Sequence, residues 1–148
     1  MLKESPSQKI NLIKIKKSDA HVKILFNLLK KRENNISHQS LPSYSSHKNF
    51  VLNHPYRAWY LVKQNDELIG NAYILKNNCI GINIIKNTMI VTPIVIEELL
   101  RKYKPLKAIQ SVRTAQFDFN VAPSNKEYIS ILEQMGAKLA QVSFIFEK

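Results

Sequence analysis

A chain of 148 residues with 45% apolar side chains falls in the size range of one domain built around one core, here spanning 1–148. Its six prolines and three glycines exclude collagen-like and low-complexity architectures, and its apolar content excludes an intrinsically disordered chain. Cys79 is the only cysteine, which rules out an internal disulfide and a zinc–thiolate cluster, so no metal is expected and a reducing, cytoplasmic location fits.

The segment Met1-Leu-Lys-Glu-Ser-Pro-Ser lacks the apolar stretch of a signal peptide, and no apolar run approaches the length of a membrane span, so neither export nor insertion is expected. The net charge of +11 is uneven: residues up to Lys63 include 12 basic and 3 acidic side chains, and those from Gln64 onward 10 and 8. Such asymmetry fits an anionic partner, whether nucleic acid, membrane surface or a phosphorylated small molecule. It equally fits a solvated lysine-rich surface, and the abundance of Lys, Asn and Ile fits a compositional bias of the source genome.

In chain order, the alternation in Ile10-Asn-Leu-Ile-Lys-Ile15 predicts a strand. Ser18-Asp19 then supplies N-cap residues for a helix with Val22, Leu25, Phe26 and Leu29 on one face, ended by Asn34-Asn35. Ser37 to Ser46 reads as loop, and a short helix around His47 to Leu52 stops before Pro55. Three closely spaced strands follow, Tyr56–Lys63, Leu68–Leu75 and Cys79–Ile85, joined by polar turns into an antiparallel meander.

Thr92-Pro93 reads as an N-cap with proline at the first helical position, opening a helix with Ile96, Leu99, Leu100 and Tyr103 at helical spacing. Leu106 to Thr114 has no clean period. Gln116 to Val121 alternates as a strand, and Ser124-Asn-Lys-Glu127 reads as a capping box. The helix it opens carries Ile129, Leu132 and Met135 on one face and stops at Gly136, and Leu139 to Phe146 alternates as a last strand. Flanking helices on a mixed sheet follow from this order, which excludes a doubly wound sheet.

The segment Asn120-Val-Ala-Pro-Ser-Asn-Lys-Glu-Tyr-Ile-Ser-Ile-Leu-Glu-Gln-Met-Gly-Ala137 and the strands Leu68-Ile-Gly-Asn-Ala-Tyr-Ile-Leu75 and Ile80-Gly-Ile-Asn-Ile84 resemble motifs of the GCN5-related N-acetyltransferase superfamily. The element order is similar to that family over nearly the whole chain. His47 to Phe50, His54-Pro-Tyr-Arg-Ala-Trp59 and the residues on to Gly70 further resemble members acting on sugar nucleotides. The resemblance implies an α/β (α+β) fold: a mostly antiparallel mixed sheet of six or seven strands, about four helices, and a V-shaped cleft between strands four and five.

It also implies acetyl-CoA, or another acyl-CoA, as co-substrate. By resemblance the pantetheine pairs with the backbone of Ile84, Ile85 and Lys86, and the pyrophosphate meets Met89, Ile90, Val91 and Thr92 at a helix N-terminus, where free N–H groups and the helix dipole favour anions. Asn120 and Asn125 would contact the other side of the cofactor, and Lys126 its phosphates. The implied activity is acyl transfer to a primary amine, with an anionic small molecule such as an amino-sugar nucleotide favoured by the basic N-terminal half and a homodimer as the candidate assembly. The alternative is a degenerate domain kept for binding or assembly. Nucleic acid would call for an Arg-rich recognition helix or an aromatic stacking motif, and neither is present.

Three positions depart from the family pattern. Lys86-Asn-Thr-Met-Ile-Val-Thr92 stands where a glycine-rich pyrophosphate loop is usual, and glycine is what lets backbone approach phosphate closely. Leu132 occupies the place of a tyrosine often serving as general acid, and Tyr128, one turn earlier, is displaced about 6 Å along the axis. Asn78 or Cys79 stands where an acidic residue is frequent. The side chains left to test for proton transfer are His47 and Tyr73, with Tyr56, Arg57 and Trp59 as acceptor-binding candidates. Each has a plainer reading as surface or core. Cys79 would serve as a nucleophile only with a nearby base to depress its pKa, and reads more simply as an inert buried thiol.

Overall fold

The computed structural model describes residues 9–32 and 40–147. Four strands, β1 (Ile10–Lys14), β2 (Ala58–Gln64), β3 (Glu67–Ile74) and β4 (Ile80–Ile84), pair antiparallel in sequence order. Helices α1 (Asp19–Lys30) and α2 (Tyr44–Asn53) lie between β1 and β2, while α3 (Thr88–Lys102) and α4 (Lys126–Gln134) follow β4. The predicted end of α1 at Asn34-Asn35 and the loop residues 37–39 fall outside the described residues. Tyr44 to Ser46, read as loop from the sequence, form the first turn of α2, because the Ser43 hydroxyl accepts from Ser46 N–H and caps the helix there.

β2 explains the two-sided architecture. Six of its seven residues are buried, the signature of a strand covered on both faces. Ala58, Tyr60 and Val62 join Ile69, Ala72, Ile80, Val95, Leu99 and Ile131 beneath α3 and α4, whereas Trp59 and Leu61 join Val22, Leu25, Leu28 and Val51 beneath α1 and α2. Both hairpin turns use asparagine in the left-handed region, Asn65 at φ 54° and Asn78 at φ 70°, a conformation asparagine tolerates better than most residues. Asn78 is fully buried, and its amide donates to the carbonyls of Leu106 and Thr114 and accepts from Leu106 N–H. It ties the irregular 106–114 stretch to the sheet.

Among the described residues the sheet therefore has four strands rather than the six or seven expected. Residues 116–121 touch β4 at a single parallel bridge, Cys79 to Asp118, where Asp118 N–H donates to Asn78 O and Ile80 N–H to Asp118 O. Beyond it the two segments part. Among the described residues, Leu139 to Phe146 pairs with no strand.

Three helix details also differ from expectation. α3 begins at Thr88, so Pro93 lies inside it; burial of Val91, Thr92 and Val95 outweighs the intrahelical bond that proline removes. The cap of α4 is Asn125, which accepts from Tyr128 N–H, not Ser124. With it, Tyr128, Ile131 and Leu132 become the buried face, and Met135 stays partly exposed. Gly136, at φ 95°, ends α4 as expected, with Ala137 N–H returning to Leu132 O. Among the described residues, no helix is long and apolar enough to cross a membrane.

Candidate active site

Beside β4, a cavity of about 490 Å³ is lined by residues of both helical layers, within the range of small-ligand sites. Side chains from α1 and α2, among them Leu25, Arg32, His47 and Phe50, line one end; Trp59, Asn71 and Tyr73 line its middle; Thr88, Thr92, Asn125 and Tyr128 line the other. Backbone along β4 alternates in direction. Cys79 O and Ile85 N–H bond to β3, while Ile80 N–H bonds the opposite way to Asp118. Ile82 and Ile84 thus turn their amides and carbonyls toward the opening.

Two buried hydroxyls lining this cavity, Thr92 Oγ1 and Tyr128 Oη, have no hydrogen-bond partner. Buried polar atoms are nearly always paired, and an orphan costs on the order of 1–3 kcal/mol. Two orphans in one cavity wall mark a place prepared for a polar ligand. Burial, then the neighbouring Cys79 and Tyr73, holds the Tyr128 phenol far above its usual pKa, so it stays protonated at neutral pH.

The aromatic end is built tightly. Tyr56 and Tyr73 stack at 4.6 Å and 17°, and Trp59 meets Tyr56 and Phe50 edge-on. The Trp59 indole donates to Asn71 Oδ1. Burial pushes Tyr56 up to about 12 and raises Tyr73, partly offset in both by the positive field of Arg32. Tyr73 therefore stays protonated and acts as a donor, not as a base. His47 is buried, with its Nε2–H donating to Val22 O at 3.0 Å, so Nδ1 is the ring nitrogen not engaged by that bond.

Of the residues predicted from sequence, Ile84, Ile85, Thr92, Asn125, Tyr56, Trp59, His47 and Tyr73 line this cavity. The others lie elsewhere. Lys86 pairs with Glu67 at 2.8 Å, and Met89 and Ile90 are exposed while Val91 is fully buried. Lys126 opens α4 on its exposed side. The Asn120 amide donates to Cys79 Sγ. Arg57 reaches the other face, donating to Lys104 O and stacking over Tyr103. Asn71 and Thr88 were missed, and Tyr128, which shares a face with Leu132, was set aside for its axial displacement.

Asn78 spends its amide holding residues 106–114 and has none left for proton transfer. Burial, then the carboxylate of Asp118, raises Cys79 to about 11. At pH 8 only about one thiol in a thousand is ionised, so thiol reagents should modify the folded protein slowly, and denaturant should restore an ordinary rate. Rapid alkylation of the native protein would contradict this placement. Among the described residues, no group of three or more His, Cys, Asp or Glu side chains could hold a metal.

A sheet that splays beside an antiparallel meander, with helices on both faces, defines the architecture of the GCN5-related N-acetyltransferases. No protein-family profile and no curated protein matches the sequence, but solved structures match over almost its whole length. A domain from Methanocaldococcus jannaschii is similar at a TM-score of 0.67 and 14% identity, covering 93% of each chain. Aminoglycoside N-acetyltransferase AAC(6')-Iy, solved in complex with CoA, is similar at a TM-score of 0.62 and 9% identity over 97% of each chain. A possible acetyltransferase from Clostridium difficile reaches a TM-score of 0.53 at 9% identity, covering 94% of this chain and 97% of its own. The chain has the GCN5-related N-acetyltransferase fold.

Proposed function

We propose that the protein transfers an acyl group from acetyl-CoA, or another acyl-CoA, to a primary amine. The observation that carries this reading is the pair of orphaned hydroxyls, Thr92 and Tyr128, in a cavity bounded by the open edge of β4. Acyl-CoA fits that wall: the edge of Ile82 and Ile84 offers backbone partners for pantetheine amides. The first turn of α3 has no side-chain cap; Ile90 and Val91 N–H already donate to Asn87 O, which leaves the N–H groups of Thr88 and Met89 for a phosphate. The missing glycines reduce how many of them can reach it.

In such a transfer the amine nitrogen attacks the thioester carbon, the C–S bond breaks as the C–N bond forms, and the amine proton must leave. Tyr128, kept protonated by burial, is positioned in the cavity wall to donate to the departing thiolate, while His47 Nδ1 or water takes the amine proton. A backbone N–H of Ile82 or Ile84 would serve the developing oxyanion. The acceptor would occupy the aromatic end, where Lys31 and Arg32 line the cavity and favour an anionic amine such as an amino-sugar nucleotide.

CoA and acetyl-CoA at saturation should each raise the melting temperature by about 5–10 °C, since occupancy at a hundredfold excess over Kd stabilises by about 2.7 kcal/mol. The absence of any shift at millimolar CoA would favour the other reading, a degenerate domain that retains the fold for binding or assembly.

A further inference from the structure

The cavity wall on the α1–α2 side of the sheet carries two asparagines that the transfer chemistry leaves unused. Asn71 in β3 and Asn83 in β4 are direct cross-strand partners, so their side chains leave the same face with Cα atoms about 5.5 Å apart. Trp59, Leu61 and Tyr73 share that face. Both asparagines are half-buried and both line the cavity.

Their hydrogen bonding is incomplete in a defined way. An indole N–H can only donate, so the 3.1 Å bond from Trp59 takes Asn71 Oδ1 and turns the Nδ2 amide away from the indole. Among the described residues nothing accepts from that Nδ2, and neither end of the Asn83 carboxamide is bonded. One fixed donor thus stands beside a carboxamide that can accept. A hydroxyl answers both, accepting from Asn71 Nδ2 and donating to Asn83 Oδ1. An ammonium only donates and would leave Asn71 Nδ2 unmet. A carboxylate only accepts, and two neutral amides supply no charge to offset its desolvation.

Asn83 lies between Ile82 and Ile84, whose backbone is the wall assigned above to the acyl donor. A hydroxyl held on Asn83 is therefore close to the reacting amine. We infer, on the acyl-transfer reading, that Asn71 and Asn83 select the acceptor by binding a hydroxyl on the carbon next to its amine, which makes the substrate class a 1,2-amino alcohol, the unit an amino sugar carries. Trp59 is a positioning residue in this arrangement, since it fixes which way the Asn71 amide faces.

Trp59 is the only tryptophan of the chain, so its fluorescence reports acceptor binding with no acyl donor present. Three amines on one ring separate the chemistries: 2-aminocyclohexanol in its cis and trans forms, cyclohexylamine, and 2-aminocyclohexanecarboxylate. The better amino alcohol should bind about tenfold more tightly than cyclohexylamine or better, because a site built to bond a hydroxyl rejects the analogue lacking it. Asn71→Asp keeps the oxygen that accepts from Trp59 and deletes the donor, while Asn83→Leu removes a carboxamide with no bond to lose. Each variant should bring the ratio of affinities to within about twofold, with the melting temperature near wild type. Equal affinity for amino alcohol and cyclohexylamine, tighter binding of the carboxylate, a preference that survives both variants, or no binding of any of the three would each overturn the assignment. A hydroxyl preference that the variants abolish, in a protein that neither binds CoA nor transfers an acyl group, would uphold the asparagine site and sink the acyl-transfer reading instead.

Discussion

Replacing Tyr128 by Phe is expected to lower the turnover of acyl transfer about a hundredfold, the scale of a lost general acid, while the KM for acetyl-CoA stays near the wild-type value. The change removes one oxygen and keeps the ring that packs edge-on against Phe119. The hydroxyl has no partner to abandon, so stability should hold or rise slightly as a buried orphan is deleted. Axial spacing along α4 argues that Tyr128 cannot stand in for a tyrosine at position 132. That argument fixes the sulfur where a residue at 132 would meet it, whereas here Tyr128 lines the cavity and Leu132 does not. Turnover within a fewfold of wild type would return proton delivery to water and leave Tyr128 a merely structural role. Parallel losses in turnover and in CoA affinity would make the hydroxyl a binding group.

The meander was legible because its strands obey short-range rules: alternating Ile, Val and Tyr, with asparagines at the left-handed turn positions Asn65 and Asn78. What sequence missed depends on long-range packing. Thr92-Pro93 has the local chemistry of a helix start, yet burial of Val91 and Val95 extends α3 one turn further back. Ser124 and Asn125 are both good caps, and residue type alone does not choose Asn125 as the one that accepts from Tyr128 N–H. Leu139 to Phe146 carries a strand pattern, but period alone cannot say that no partner edge lies within reach of the same copy. The cavity was legible only in outline. Orphaned hydroxyls such as that of Thr92 can be recognised only when every neighbour is placed.

Replacing Gly70 by Ala should destabilise the protein by about 2 kcal/mol, lowering the melting temperature by about 4–8 °C, and should weaken acyl-CoA binding at the same time. Gly70 pairs with Ile84 across β3 and β4, and a Cβ there would fall inside van der Waals contact of the Asn83 carbonyl oxygen and crowd Ile84. In an unstrained strand position the same change would gain about 0.4–1 kcal/mol by restricting the unfolded chain, so the sign of the effect reports the clash. Backbone cannot rotate away as a side chain can. β4 must shift outward at Asn83 and Ile84, which displaces the Ile84 backbone that faces the opening. Gly81 provides the comparison, because a Cβ there meets the ring of Tyr73: Gly81→Ala would displace the aromatic end while sparing the β4 edge, and so should impair the acceptor more than the acyl donor. If Gly70→Ala melts at or above the wild-type temperature and binds CoA normally, the edge of β4 gives freely and is not the rigid wall that donor binding requires.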